Sequence, residues 1–263
     1  MLIEIQICTL DAGIERVPEV LMEAVEDVCY TVSMQYTDAK YLEQVSACLK
    51  QRSDVQVIFL EGKGLSRNRN QALSQTRGDV VVIADDDNRY TTEQIDNIRR
   101  AYAEHPEADI LYFEVAGPDG TLLQSRYPAE VMPFREAMKR GVYAMSVGIT
   151  LRASCPIRFD ERFGLGSGRY TAGEEDVFMH HALQRGLNVL FIPRVIVQTP
   201  ALTTGTRFVE DARLQVTKGA VFREVYGVPM AVWKSIKEGI WYLRKRHLSP
   251  FPIIYNMYKG IWN

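Results

Sequence analysis

Cysteine is scarce in this chain of 263 residues. The four present, Cys8, Cys29, Cys48 and Cys155, form no C-x-x-C pair. They are too few and too scattered for a disulfide framework, and they support neither a zinc site nor a thioredoxin motif. An excess of basic charge is also missing. Lys and Arg number 31 against 33 Asp and Glu, for a net charge of -2, which excludes the basic footprint of a dedicated nucleic-acid binder. No apolar run reaches the roughly 18 residues that a membrane-spanning helix needs. The N-terminus, Met1-Leu2-Ile3-Glu4-Ile5, alternates like a strand and lacks the basic and apolar regions of a signal peptide, so a cytosolic start is expected. Internal repeats and low-complexity segments are absent. Neither G-x-x-x-x-G-K-[ST] nor G-x-G-x-x-G after the first strand occurs, which removes P-loop and dinucleotide binding.

What remains is an ordinary globular composition, 46% hydrophobic and 24% charged, long enough to bury a core without disulfides. Strand and helix signals alternate, the pattern of a mainly parallel sheet with helices on its faces. Strands are predicted over 3–9, 28–34, 55–60, 80–84, 110–115 and 188–192. A further strand pair is expected over 121–127 and 143–152, after a turn at 117–120. Helices are predicted over 17–26, 38–50, 66–75, 92–105 and 174–185. The five apolar residues from Val80 to Ala84 read as a central strand buried on both faces.

Three clusters carry the chemistry. Asp85-Asp86-Asp87-Asn88 follows the 80–84 strand directly, at the carboxyl end where open α/β sheets bind ligands. Adjacent carboxylates repel one another unless a cation neutralises them, and hard oxygen ligands suit Mg²⁺ or Mn²⁺. Alternation along an extended segment turns Asp85 and Asp87 to one side and Asp86 to the other. A solvated acidic loop or a capping turn before Thr91 is the alternative. Upstream, Lys63, Arg67 and Arg69 surround a predicted helix N-terminus, which itself favours anions; a basic solvated helix start is the plain reading. Downstream, a glycine-rich stretch, Phe159 to Gly173, leads into Glu174-Glu175-Asp176. One of these carboxylates at the helix N-terminus is ready to accept a proton, although acidic residues are also routine there as capping preferences. His180 and His181 lack the spacing of a metal site and read as packing or surface residues.

The order of these segments resembles a known family. Thr9-Leu10-Asp11, Gly64-Leu65-Ser66 with Arg69-Asn70, Gly78-Asp79 through Asp85-Asp86-Asp87, Phe159-Asp160-Glu161 with Phe163-Gly164-Leu165-Gly166, and Gly173-Glu174-Glu175-Asp176 look like the inverting family 2 glycosyltransferases of GT-A fold. The resemblance covers residues 1 to about 200. It implies a Rossmann-like α/β domain over 1–204 that binds a nucleotide-sugar and catalyses transfer, followed by a basic, aromatic helical extension over 205–263. It also implies that Asp85 and Asp87 hold a divalent metal, Mn²⁺ or Mg²⁺, on the diphosphate of a nucleotide-sugar. Thr9, Asp11, Lys63, Arg69, Asn70 and Asp86 are expected at the donor. The base comes from Asp176 or Glu175, according to which pair is aligned with the family's Glu-Asp. Ser33 and Met34 stand where relatives carry base-reading aspartates, and Gln198-Thr199-Pro200 stands where many carry a metal-binding histidine.

The acceptor is expected to be a hydroxyl of a glycan or of a lipid-linked substrate. Trp233, Ile236, Ile240, Trp241 and Leu243, with Lys234, Lys237, Arg244, Lys245 and Arg246, form a basic helix with an apolar side, suited to the inner face of a membrane. Packing of these aromatics onto the catalytic domain, or a dimer interface, is the alternative. Two other classes share part of the pattern: a nucleotidyltransferase, and a non-catalytic protein that binds nucleotide-sugars or glycans.

Overall fold

The computed structural model describes residues 1–199 and 207–263. In chain order the strands are β1 (Ile3–Leu10), β2 (Val28–Tyr36), β3 (Val55–Glu61), β4 (Val80–Asp85), β5 (Ile110–Ala116), β6 (Met132–Pro133), β7 (Ile149–Arg152) and β8 (Val189–Gln198). The helices are α1 (Val17–Val20), α2 (Ala47–Gln51), α3 (Leu65–Ser74), α4 (Thr92–Glu104), α5 (Phe134–Lys139), α6 (Glu174–Gln184), α7 (Ala212–Arg246) and α8 (Pro250–Trp262). Two compact units share them. One comprises Met1–Lys63, Arg67–Arg158 and the stretch from His181; the other comprises Gly64–Ser66, Phe159–His180 and the C-terminal helices.

The first unit holds one sheet of order β3-β2-β1-β4-β7-β5-β8-β6. Its first four strands are parallel, β7 runs antiparallel to both β4 and β5, and β6 is antiparallel to β8. The fold is therefore α/β with a mixed sheet. Val80 to Ala84 are all buried, as expected for a strand covered on both faces. The register sets Cys8 of β1 beside Asp85, the last residue of β4, so Thr9 and Leu10 extend β1 just past the point where β4 ends. Burial pushes the Cys8 thiol up to about 12, with Arg69 opposing the shift; it is an inert core residue. Helix α4 starts from a capping box between Thr91 and Gln94. Its Ile95, Ile98, Ala101 and Tyr102 join the strand side chains in the core. Between β5 and β8 the register slips twice, where β8 carries Pro193, a residue that cannot donate to a ladder.

Several predicted elements differ. The 17–26 helix stops at Val20, because Leu21 is extended and the Met22 N–H donates to the Tyr30 hydroxyl (3.2 Å). The 38–50 helix divides into a 3-10 turn, Ala39–Gln44, and α2. Ser46 lies between them in extended conformation and caps α2 at the Leu49 N–H. The pair over 121–127 and 143–152 does not form as strands. Only a bridge from Ala116 to Leu122 and the short β7 remain. Gln124 holds this loop instead, accepting from the Tyr143 N–H (3.0 Å) and donating to the Tyr112 hydroxyl (3.0 Å). The proposed boundary at 204/205 and Pro200 fall outside the described residues.

In the second unit, α7 and α8 pack tightly. A Cβ at Gly219 would lie 1.9 Å from the Met257 carbonyl oxygen, and one at Gly260 would lie 1.8 Å from that of Val216. Helix α7 breaks at Gly227 (φ 74°), two residues before Pro229, a usual cause of a kink. No described helix is long and apolar enough to cross a membrane. Gly260→Ala should lower the unfolding free energy by about 2 kcal/mol, through forced separation of backbones that touch. Urea unfolding of the full chain measures this, and an unchanged midpoint would refute the close packing.

Candidate functional site

The carboxyl ends of β1, β2 and β4 form the site, and each is closed by a different side chain. After β4 the chain turns at once: the Asn88 N–H donates to the Asp85 carbonyl (3.3 Å) and the Asp85 N–H to Asn88 Oδ1 (2.7 Å). This fixes the backbone that carries the three aspartates. The buried Asn88 amide also donates to Asp87 Oδ1 and to Thr199 Oγ1, both at 3.0 Å.

The three carboxylates have different surroundings. Asp85 accepts from Arg69 Nη2 (3.0 Å). That guanidinium is 1% exposed and also donates to Ser146 Oγ (2.9 Å). Asp86 turns toward β1, accepting from the Thr9 hydroxyl and from Arg16 Nη2 (2.7 Å). Gly13 permits this, since a Cβ there would lie 2.3 Å from Thr9 Oγ1 and 2.4 Å from Asp86 Oδ2. Asp87 is exposed on the turn. Desolvation of its carboxyl and then the charges of Asp85 and Asp86 hold its pKa above the usual carboxylate range. One oxygen each of Asp85 and Asp87 accepts no hydrogen bond among the described residues. The donor set fits a divalent cation: two hard carboxylate oxygens, in a field already negative enough to oppose ionisation of Asp87. No group of three or more His, Cys, Asp or Glu side chains suited to a metal occurs among the described residues.

At β1 and β2 the device is Asp11. It sits at φ 51°, a left-handed conformation that Asp tolerates better than most residues. Its carboxylate accepts from the Thr37 N–H (2.7 Å) and hydroxyl (2.9 Å). Below it, the Asn68 amide donates to the Thr9 carbonyl (3.1 Å) and the Ser33 carbonyl (2.9 Å), and accepts from the Ser33 hydroxyl (2.6 Å). Lys63 is exposed, without an ion pair among the described residues, and Asn70 follows Arg69 on α3.

Within the second unit, Ser66 Oγ donates to the Phe163 carbonyl (2.6 Å) and the Leu65 N–H to that of Leu165 (2.8 Å). Glu174 is buried at the head of α6, whereas Glu175 and Asp176 are half-buried. The Asp176 charge reaches Tyr226, whose phenol is raised chiefly by burial and then by this carboxylate.

Residues 37–159 match the family model Glycosyl transferase family 2. That segment, a little under half of the chain, is similar to the family's domain. The matched segment contains Lys63, Arg69, Asn70 and Asp85 to Asp87, while Thr9, Asp11, Glu175 and Asp176 lie outside it. The fold is also that of solved structures at low identity. S. aureus TarS 1–349 matches with TM-score 0.61 at 14% identity, covering 100% of this chain and 90% of that one. The same protein in complex with UDP-GlcNAc gives 0.61 at 13%, with 100% and 91% covered. Glucosyl-3-phosphoglycerate synthase from Mycobacterium tuberculosis, in complex with Mn²⁺, UDP and phosphoglyceric acid, gives 0.56 at 12%, with 86% and 78% covered. A longer TarS chain also matches, and this chain spans 44% of its length. No curated protein matches the chain in sequence.

The candidate site contains residues that sequence reasoning passed over. Asn68, Gly13, Arg16 and Ser146 support the edge, yet only Asn68 lay within a recognised motif. The strand expected to end at Met34 continues to Tyr36. Ser33 and Met34 are thus buried in β2, and Thr37 and Asp38 are the residues that leave its carboxyl end.

Three variants test this electrostatic arrangement. Arg69→Met should destabilise the fold by about 2 kcal/mol, because Asp85, itself 36% exposed, loses a charged hydrogen bond; Arg69→Met with Asp85→Asn should recover part of that in urea unfolding. For Asp87, the folded pKa lies above the unfolded one. Its contribution therefore favours the fold below the unfolded value and is lost as pH rises through the folded one. Asp87→Asn should accordingly be more stable than the parent at neutral pH without metal, by less than about 1 kcal/mol after solvent screening.

Proposed function

We propose that this chain transfers a sugar from a nucleotide-diphosphate donor, a UDP-sugar, to a hydroxyl of a glycan or lipid-linked acceptor by inverting displacement. The observation that carries the reading is the carboxyl edge of β1, β2 and β4, where Asp85 and Asp87 keep open oxygens while Arg69 and Lys63 supply positive charge. The UDP, UDP-GlcNAc and Mn²⁺ complexes of structurally similar proteins support a nucleotide-sugar and a metal. Residues 1–204 are assigned to donor binding and catalysis, and 205–263 to an extension that brings the enzyme to the inner face of a membrane from the cytoplasm.

In this reading Asp85 and Asp87 would hold Mn²⁺ or Mg²⁺, which when bound would supply positive charge to offset that of the diphosphate. Lys63 adds a further positive charge beside the diphosphate. Asp86 keeps Thr9 and the β1 end in place, and Asp11 fixes the Thr37–Asp38 turn against which the nucleoside lies. Glu175 or Asp176 accepts the acceptor's hydroxyl proton while the acceptor oxygen bonds to the anomeric carbon and the bond to the diphosphate breaks. No covalent intermediate is needed.

A thermal-shift series against UDP, GDP, CMP and dTDP, with and without Mn²⁺, tests the donor. UDP with Mn²⁺ at a hundredfold excess over its Kd should add about 2.7 kcal/mol of stability, and Asp85→Asn with Asp87→Asn should abolish the metal-dependent part. A shift with no nucleotide would refute the reading. Glu175→Gln and Asp176→Asn, assayed separately, identify the base as the one whose loss lowers kcat by about a hundredfold or more while donor KM holds.

A further inference from the structure

Helix α8 is apolar on both sides. Ile253, Met257, Gly260 and Ile261 are buried against α7 and its neighbours. On the opposite side Phe251, Tyr255, Tyr258 and Trp262 recur at spacings of four, three and four residues, and are 78%, 60%, 47% and 58% exposed. An α-helix brings such positions onto one stripe. A helix that is apolar all round requires cover on both sides, and among the described residues the outer one is left exposed. Beyond the Gly227 break, α7 adds Met230, Trp233, Ile236, Ile240, Trp241 and Leu243, all exposed. The exposed apolar residues of this unit are concentrated here, well beyond the scattered single residues normal on a surface.

The charge around this face has one sign. From residue 225 to the last residue there are six Lys or Arg and one acidic residue, Glu238, in a chain whose total charge is -2. Glu238 is itself paired with Lys218 (2.6 Å). Arg244, Lys245 and Arg246, at the end of α7, are exposed and make no ion pair among the described residues. Lys237 and Lys259 lie over the Trp233 and Tyr255 rings (5.3 and 4.4 Å), with their ammonium groups still near the surface.

We infer that the α7–α8 hairpin docks on an anionic lipid bilayer, with the Phe251, Tyr255, Tyr258 and Trp262 stripe in the headgroup region and the Arg244–Lys245–Arg246 cluster against acidic headgroups. At 13 residues α8 is about 20 Å long, too short to cross a hydrocarbon core of about 30 Å, so it lies in the interface plane. Aromatic rings with polar edges are the side chains that favour this depth. The Gly219 and Gly260 contacts hold the two helices close enough to present ring and charge together. This deepens the membrane element of the proposed function by naming the lipid chemistry and the face, and it stands or falls without reference to sugar transfer.

The test is co-sedimentation of the full chain with vesicles of phosphatidylcholine alone and of phosphatidylcholine mixed with phosphatidylglycerol. Binding to the anionic vesicles, absent from the neutral ones and weakened by salt, is the expected result. Each cation near the surface contributes about fivefold, so Arg244→Glu with Lys245→Glu and Arg246→Glu should reduce partitioning on the order of a hundredfold. Serine at the four α8 aromatic positions should also abolish it, with the far-ultraviolet circular dichroism and the UDP-induced thermal shift unchanged. Equal binding to both vesicle types, or no binding to either, would overturn the inference. So would a homodimer in light scattering that the serine variant converts to monomer without any vesicle binding, since that result assigns the face to a second copy. Loss of the UDP response in the parent chain would count against the transferase reading and leave vesicle binding to be judged on its own.

Discussion

The buried pairing of Arg69 with Asp85 is the constraint on which the rest of the site depends. A guanidinium removed from water is tolerable only when its charge is met. Here the partner is the last residue of β4, with Ser146 as a second acceptor. The pair pins α3 to the end of a central strand, and the residue before Arg69 exploits that position. Asn68 reaches the Thr9 and Ser33 carbonyls and so joins β1 to β2. Three strand ends and one helix are thus locked by two consecutive side chains.

From that anchor, the three aspartates divide their work. Asp86 is spent on structure, held by Thr9 and Arg16 in a space that only glycine at 13 leaves open. Asp85 shares its charge with Arg69, and Asp87 has no cation bonded to it and a pKa driven upward by its neighbours. A site that raises the pKa of its own carboxylate is unfavourable for the empty protein and favourable for one that binds a cation, the usual tension between stability and function. Asp11 accepts a left-handed backbone for a similar end, since its carboxylate holds the Thr37 turn at the mouth of β2.

Much of this was legible before any coordinates. The Val80 to Ala84 run specified a central strand with three carboxylates at its carboxyl end, because burial on two faces is a local signal. The Arg16 to Asp86 and Ser33 to Asn68 contacts were not legible, because each joins residues far apart in the chain whose meeting depends on strand register. Local cues also misled. Apolar spacing across 38–50 suggested one helix, but Ser46 offers its hydroxyl to the backbone and begins a new one. Alternation near 121–127 suggested a strand, but Gln124 satisfies the loop's polar groups without a ladder. In the C-terminal helices the aromatic content was plain from sequence. Which rings face outward was not, because glycine contacts between α7 and α8 select the buried side and leave no periodic apolar signal of their own.

The central claim is that Asp85 and Asp87 are the carboxylates that carry a divalent metal on the donor's diphosphate while Arg69 keeps Asp85 in place. Crystals grown with UDP and Mn²⁺, measured at the manganese absorption edge, test it directly. The account requires an anomalous peak bonded to both carboxylates and to diphosphate oxygens, with the Arg69 contact to Asp85 retained. Bound UDP with no manganese at these two residues, or manganese held elsewhere in the chain, would contradict it.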